Sequence, residues 1–167
     1  DGVSLWYQVW GNPEGMPVVF VHGGPGQCVA DYDNVNARFF DPSIFRVVEV
    51  DQRGTGLSQP SVRDDYRAMQ KYAGISIAQM SHDFELVRTS LGIEKWLVFG
   101  GSWGSTLALA YAQAHPDRCR ALLLRGVFLF GPDEVEYLFC NGLTAGQHPQ
   151  AWESYTEYIR TTSDDWD

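Results

Sequence analysis

One junction constrains the fold of this sequence more than any other stretch. The apolar run Trp96-Leu97-Val98-Phe99 meets, across only Gly100-Gly101-Ser102-Trp103-Gly104, a segment from about Trp103 to His115 that is apolar nearly all round. The run has the length of a strand, and the segment reads as a largely buried helix. Pro116 ends it, because proline disfavours helical angles at the residue before it. Further runs extend the pattern. Ser4 to Trp10 alternates apolar and polar residues, as a half-buried strand near a sheet edge does, and Val18–Val21, Phe45–Val50 and Ala121–Leu124 have strand length. Ile77, Met80, Phe84, Val87 and Leu91 draw one helical stripe, opened by Ser76 with Gln79 in a capping-box pattern and closed by Gly92. Buried strands alternating with helices predict an α/β architecture, a mostly parallel sheet covered on both faces.

From about Gly131 the rhythm changes. Glu134 to Arg160 is aromatic and helix-prone and has no strand-like run, so residues 1–130 are expected to form the α/β core and 131–167 the start of a separate helical unit. An apolar fraction of 44% with 20% charged residues belongs to a folded chain. Twelve Lys+Arg against 21 Asp+Glu leave a net charge of −9 without a basic cluster, which argues against a nucleic-acid partner. No apolar run approaches the ~20 residues of a membrane span, and no membrane partner is expected. Nothing at the amino end reads as a signal peptide, although the first residue is Asp1 rather than Met. Cys28, Cys119 and Cys140 are odd in number and far apart, with no C-x-x-C pair and no histidine at zinc spacing. They read as reduced, mostly buried thiols. The expectation is a cytoplasmic protein with no metal and no cofactor.

The chemistry lies in the turn. Gly100-Gly101-Ser102-Trp103-Gly104 is G-x-S-x-G between a strand and a helix, the setting that gives the pattern meaning. A turn this sharp strains the central residue, and side chains two positions away would collide. The strain lifts the Ser102 hydroxyl out at the end of the sheet, at a helix amino end where backbone N–H groups favour negative charge. Ser102 is therefore the candidate nucleophile. A second glycine-rich loop, His22-Gly23-Gly24-Pro25-Gly26, follows the strand Val18–Val21. Acyl transfer needs two donors aimed at the oxyanion, and the candidates are the N–H of Trp103 and that of Gly24. Neither glycine cluster carries the Lys-Ser/Thr of a phosphate-binding P-loop. His22 precedes the nucleophile and reads as a structural histidine beneath the loop. In the third loop, Asp51-Gln52-Arg53-Gly54-Thr55-Gly56-Leu57-Ser58, Asp51 and Arg53 are expected to pin a tight turn near the site.

These three motifs together resemble the α/β-hydrolase superfamily and, more narrowly, the proline iminopeptidases. The resemblance rests on His22-Gly23-Gly24-Pro25-Gly26, Asp51-Gln52-Arg53-Gly54 and Gly100-Gly101-Ser102-Trp103-Gly104-Ser105-Thr106. It extends to Tyr111-Ala112-Gln113-Ala114-His115-Pro116 and Leu124-Arg125-Gly126-Val127-Phe128. The chain departs from that pattern at Gln27-Cys28, Thr55 and Leu57. The resemblance implies an α/β-hydrolase fold and a serine peptidase that releases an amino-terminal proline from a peptide. It implies a helical cap over the sheet that forms the proline pocket, with Gly23 and Phe128 as pocket candidates. A carboxylesterase or another acyl hydrolase of the same fold is the alternative within enzymes. Glu134, Glu136, Glu153 and Glu157 read as solvated helix charges rather than partners of a substrate amine.

A serine needs a base, and the superfamily supplies it in the order Ser, then Asp or Glu, then His. After Ser102 the sequence holds His115 and His148. His115 ends the nucleophile's own helix, some 20 Å along the axis, and His148 sits in a polar loop segment. Neither fits. The chain is therefore expected to be truncated before the last core strands, inactive as it stands, and left with an uncovered sheet edge prone to aggregation or partner binding. A non-catalytic truncated product is the reading from a different class, and the oligomeric state is not legible.

Overall fold

A computed structural model describes residues 2–29, 39–140 and 142–162. Five strands form one sheet: β1 (Tyr7–Gly11), β2 (Met16–Val21), β3 (Phe45–Val50), β4 (Trp96–Ser102) and β5 (Cys119–Val127). Their order is β1-β3-β2-β4-β5, with β1 antiparallel to β3 and every other pairing parallel. A short 3-10 helix (Tyr66–Tyr72) and α1 (Ile77–Ser90) connect β3 to β4, and α2 (Trp103–Ala114) connects β4 to β5. The mostly parallel α/β sheet expected from the alternating runs is present. The chain crosses from one side of β2 to the other between β3 and β4, so β2 is a switch point, where open α/β sheets form their crevices.

The period-two alternation of strand side chains builds the core. Val19 and Val21 of β2, Val48 and Val50 of β3 and Trp96 and Val98 of β4 face one side, where they meet Met80, Phe84 and Val87 of α1 and Leu107, Ala108 and Tyr111 of α2. The intervening residues Val18, Val47 and Phe99 pack on the opposite face with Phe40. The α1 stripe was legible in sequence, and Ser76 caps it by accepting from the Gln79 N–H at 3.1 Å. Gly92, just past the helix, has φ +66°, which a glycine adopts freely. His115 leaves the helical region at the end of α2, as the following proline requires.

Four expectations need correction. The first strand begins at Tyr7 rather than Ser4, whose backbone instead pairs with Gln59 in an isolated bridge, and it is mostly exposed rather than half-buried. β5 is longer than Ala121–Leu124 and is not covered on both faces: Leu122 and Leu123 are 38% and 48% exposed. It is the outer strand of the described sheet, and α2 packs against it. The three cysteines stand as thiols rather than disulfides, and they are half-buried rather than buried. Glu134 is not a solvated charge, because its carboxylate accepts the backbone N–H groups of Leu129 and Gly131 and closes the start of α3 (Pro132–Phe139).

By internal contacts the chain divides into two compact units, 1–128 and 129–167. In the second, α3 is followed by α4 (Leu143–Gln147) and α5 (Pro149–Thr162). Thr144 donates its hydroxyl to the Leu138 carbonyl between α3 and α4, and the Trp152 and Tyr155 rings of α5 lie 5.8 Å apart. Glu136, Glu153 and Glu157 are exposed. Among the described residues no helix is long and apolar enough to cross a membrane. The last five residues of the expected helical unit, 163–167, lie outside the description.

Candidate active site

Ser102 closes β4 and caps α2 with φ +55° and ψ −127°, a positive-φ conformation uncommon for a residue with a side chain. The neighbouring glycines make room for it. A Cβ on Gly100 would lie 2.2 Å from the Gly104 carbonyl oxygen, and one on Gly104 would lie 2.1 Å from that of Val21. Gly101 is looser, with its nearest neighbour, the Arg125 carbonyl oxygen, at 3.6 Å. The Ser102 side chain is exposed and makes no capping bond to α2. Its carbonyl oxygen accepts instead from the Ser105 hydroxyl at 2.6 Å. Trp103, the first residue of α2, is buried and offers its backbone N–H directly after the serine.

The register of the sheet brings the glycine loop to this turn. β2 and β4 are parallel neighbours with Val21 opposite Gly100, so the segments that leave their carboxyl ends run side by side. A Cβ on Gly23 would lie 3.1 Å from the Gly101 carbonyl oxygen and 3.3 Å from Ser102 Cβ. Gly23, Gly101, Ser102, Cys28 and Arg125 line a cleft of about 350 Å³ whose wall includes Phe20, Phe39 and Phe99. The Phe20 and Phe99 rings stack at 5.0 Å, and Phe39 tilts onto Phe99 at 5.3 Å. Gly24 is not among the lining residues, and neither is Phe128. Phe128 is buried, and its backbone is clamped to the first turn of α2: its N–H donates to Ser105 Oγ at 2.9 Å and its carbonyl accepts from Thr106 Oγ1 at 2.6 Å.

Beneath the glycine loop lies a buried hydrogen-bonded group. The backbone N–H of Gln52 donates to His22 Nε2 at 3.0 Å, so the proton of the neutral ring sits on Nδ1, which donates to the Gly23 carbonyl at 3.0 Å. Burial is the largest influence on the imidazole and lowers its pKa, against the opposing pull of the Gly23 carbonyl and the Asp51 charge. Both ring nitrogens are engaged, and His22 is structural, as its place ahead of Ser102 suggested. The Gln52 side chain donates to the His22 carbonyl at 2.9 Å and accepts from the Trp103 indole N–H at 3.2 Å.

Asp51 is fully buried and accepts the backbone N–H groups of Val29 and Leu57 at 2.6 and 2.8 Å. Arg53 makes a two-bond ion pair with Asp83 of α1, at 2.7 and 2.5 Å. Asp51 does hold the turn, through Leu57, and also the segment after the glycine loop, whereas the Arg53 side chain ties the loop to α1. Sequence reasoning missed Gln52 and Ser105. Gln52 stood in a recognised motif, but no spacing rule says that a glutamine after β3 will reach a tryptophan at the start of α2.

The His115 ring tilts against Tyr111 of the preceding helix at 5.1 Å, and His148 ends α4. Among the described residues no histidine is hydrogen-bonded to Ser102 Oγ. Nor, among them, does any group of three or more His, Cys, Asp and Glu stand where it could hold a metal ion.

Comparison with known proteins agrees with this geometry. A family model described as alpha/beta hydrolase fold matches residues 16–164. A proline iminopeptidase of Neisseria gonorrhoeae is 45% identical over 93% of this chain and 47% of its own length. A solved proline iminopeptidase-related protein of Thermus thermophilus superposes with a TM-score of 0.59 at 26% identity, over 74% of this chain and 40% of that one. An esterase of Rhodococcus superposes with a TM-score of 0.60 at 25% identity, over 77% and 43%. The chain spans less than half the length of the curated relatives it matches.

Proposed function

The chain belongs to the α/β-hydrolase family, and from that premise we propose that the protein containing it is a serine aminopeptidase that releases proline from the amino end of peptides. The observation that carries this reading is Ser102 itself, a strained, exposed hydroxyl in a cleft beside Gly23. Similarity to proline iminopeptidases supports the substrate class.

In the proposed reaction Ser102 Oγ attacks the carbonyl carbon that follows the prolyl amine and passes its proton to a general base. Negative charge develops on the carbonyl oxygen. The N–H of Trp103, at the amino end of α2, and that of Gly24 in the loop beside it would receive it. Collapse breaks the C–N bond, the leaving amine takes the proton, and the prolyl group stays on Ser102 as an ester. Water then attacks the ester, releases proline and returns the proton to Ser102. The base and its acidic partner are assigned to residues outside this sequence, and the helical unit 131–167 to the start of a cap. Gly23 and Phe128 are the pocket candidates, with Gly23 the better supported because it lines the cleft. A cytoplasmic location belongs to the same proposal, supported by cysteines that stand as thiols rather than disulfides.

One observation favours a second reading. The cleft is walled by Phe20, Phe39 and Phe99, and its charged lining residue is Arg125, with no carboxylate among the described residues that line it to receive a substrate ammonium. An ester of a short acid would need none. The product of the complete reading frame, assayed on prolyl amides and on short acyl esters, separates the two. A preference for the prolyl amide, abolished in Ser102→Ala, supports the peptidase. Turnover of esters alone identifies an esterase.

A further inference from the structure

We propose that the Gln52 side chain is a positioning residue that sets the spacing between the two segments supplying the oxyanion donors; this rests on reading Ser102 as the nucleophile. Gln52 is buried, and both ends of its amide are used across different segments. Nε2–H reaches the His22 carbonyl at 2.9 Å, and Oε1 receives the Trp103 indole N–H at 3.2 Å. One planar amide therefore spans from the loop after β2 to the first residue of α2, the two places from which the donors come.

The direction of these bonds matters as much as their number. A trans peptide is planar, with its N–H and C=O pointing opposite ways, so a fixed carbonyl fixes the next N–H. Gln52 holds the His22 carbonyl and so orients the Gly23 N–H. Its own backbone N–H, donating to His22 Nε2, keeps the imidazole proton on Nδ1, which holds the Gly23 carbonyl and turns the Gly24 N–H away from the ring. Thr55 adds a brace by donating to the Gln52 carbonyl at 2.9 Å. Glycine positions lack side chains to fix their own angles, so the loop takes its geometry from these bonds. Glutamine suits the task because it donates at one end and accepts at the other, whereas glutamate loses the donor and methionine loses both.

The test compares Gln52→Met, Gln52→Glu and Ser102→Ala in the product of the complete reading frame. It reads kcat and KM on a prolyl amide and the affinity of a prolyl aldehyde, which forms a tetrahedral adduct. Loosened donors lower kcat and aldehyde affinity together, by about 10- to 100-fold in Gln52→Met, with KM within about twofold. Gln52→Glu keeps the acceptor for Trp103 but loses the donor to His22, and falls between. In Trp103→Phe, which removes the indole donor together with part of a buried ring, adding Gln52→Met costs less than it does in the parent, because one bond is already gone. Should Gln52→Met unfold, Gln52→Glu carries the test alone. A kcat within twofold of the parent in a folded Gln52 variant, or a raised KM at unchanged kcat, overturns the inference while Ser102→Ala remains inactive. Full activity in Ser102→Ala would instead strike the nucleophile reading on which it stands.

Discussion

The carbonyl oxygen of Val21 lies where the side chain of residue 104 would begin: a Cβ on Gly104 would sit 2.1 Å from it. The first turn of α2 is pressed onto the end of β2, and this contact seats the Ser102 turn beside the glycine loop. Gly104→Ala, and Gly100→Ala with a clash of 2.2 Å against the Gly104 carbonyl, must push backbone apart and should each cost about 3 kcal/mol or more. Gly101→Ala, whose nearest contact is 3.6 Å, should stay within about 1 kcal/mol. Urea unfolding of the three variants checks this ordering. Equal stability across the set would show that the turn is not packed this tightly.

The ion pair of Arg53 and Asp83 ties the loop after β3 to α1 with both side chains buried, at 6% and 7% exposure. Asp83→Ala leaves a buried guanidinium without its carboxylate and should destabilise by about 3–5 kcal/mol. Replacing both partners, Arg53→Met with Asp83→Leu, should recover much of the loss, since neither charge then needs solvating. A double-mutant cycle of Arg53→Met, Asp83→Leu and the two together, by thermal denaturation, measures the coupling. Additive losses would mean that the two residues act separately.

Glu85 joins α1 to α2. Arg88 is the main reason that its carboxyl is held down to about 2 from 4.5, with the Tyr111 hydroxyl helping and burial opposing. The unfolded chain takes up this proton near pH 4.5, but the folded chain only near 2, so the carboxylate's contribution is complete above 4.5 and is lost as pH falls toward 2. Unfolding experiments across that window should show stability falling on acidification less steeply in Glu85→Gln than in the parent. Identical slopes would remove Glu85 from the account.

What could be read in advance follows the range of the interactions. The α1 stripe and the Ser76 cap depend on residues three or four apart, and the buried runs of β2, β3 and β4 declare themselves by apolar content; these were legible. The strained turn at Ser102 was legible because strand, turn and helix are contiguous. The exposure of Leu122 and Leu123 was not, because an apolar run carries no sign of whether its strand is central or at an edge. The Gln52 bridge depends on a parallel pairing of β2 and β4 that joins residues far apart in sequence. Gly23, a pocket candidate from the resemblance, lines the cleft. The absence of Phe128 from its wall lay beyond pattern reading, since the Phe128 backbone is held by Ser105 and Thr106, more than twenty residues away.

The most direct test of the central claim is covalent. A fluorophosphonate bearing a reporter, offered to the product of the complete reading frame, should place one phosphonyl group on the peptide that contains Ser102 and abolish hydrolysis in proportion to labelling. Ser102→Ala should take up no label and lose activity by about 10⁴-fold or more. A label on a different residue, or hydrolysis undiminished once Ser102 is fully modified, would contradict the account.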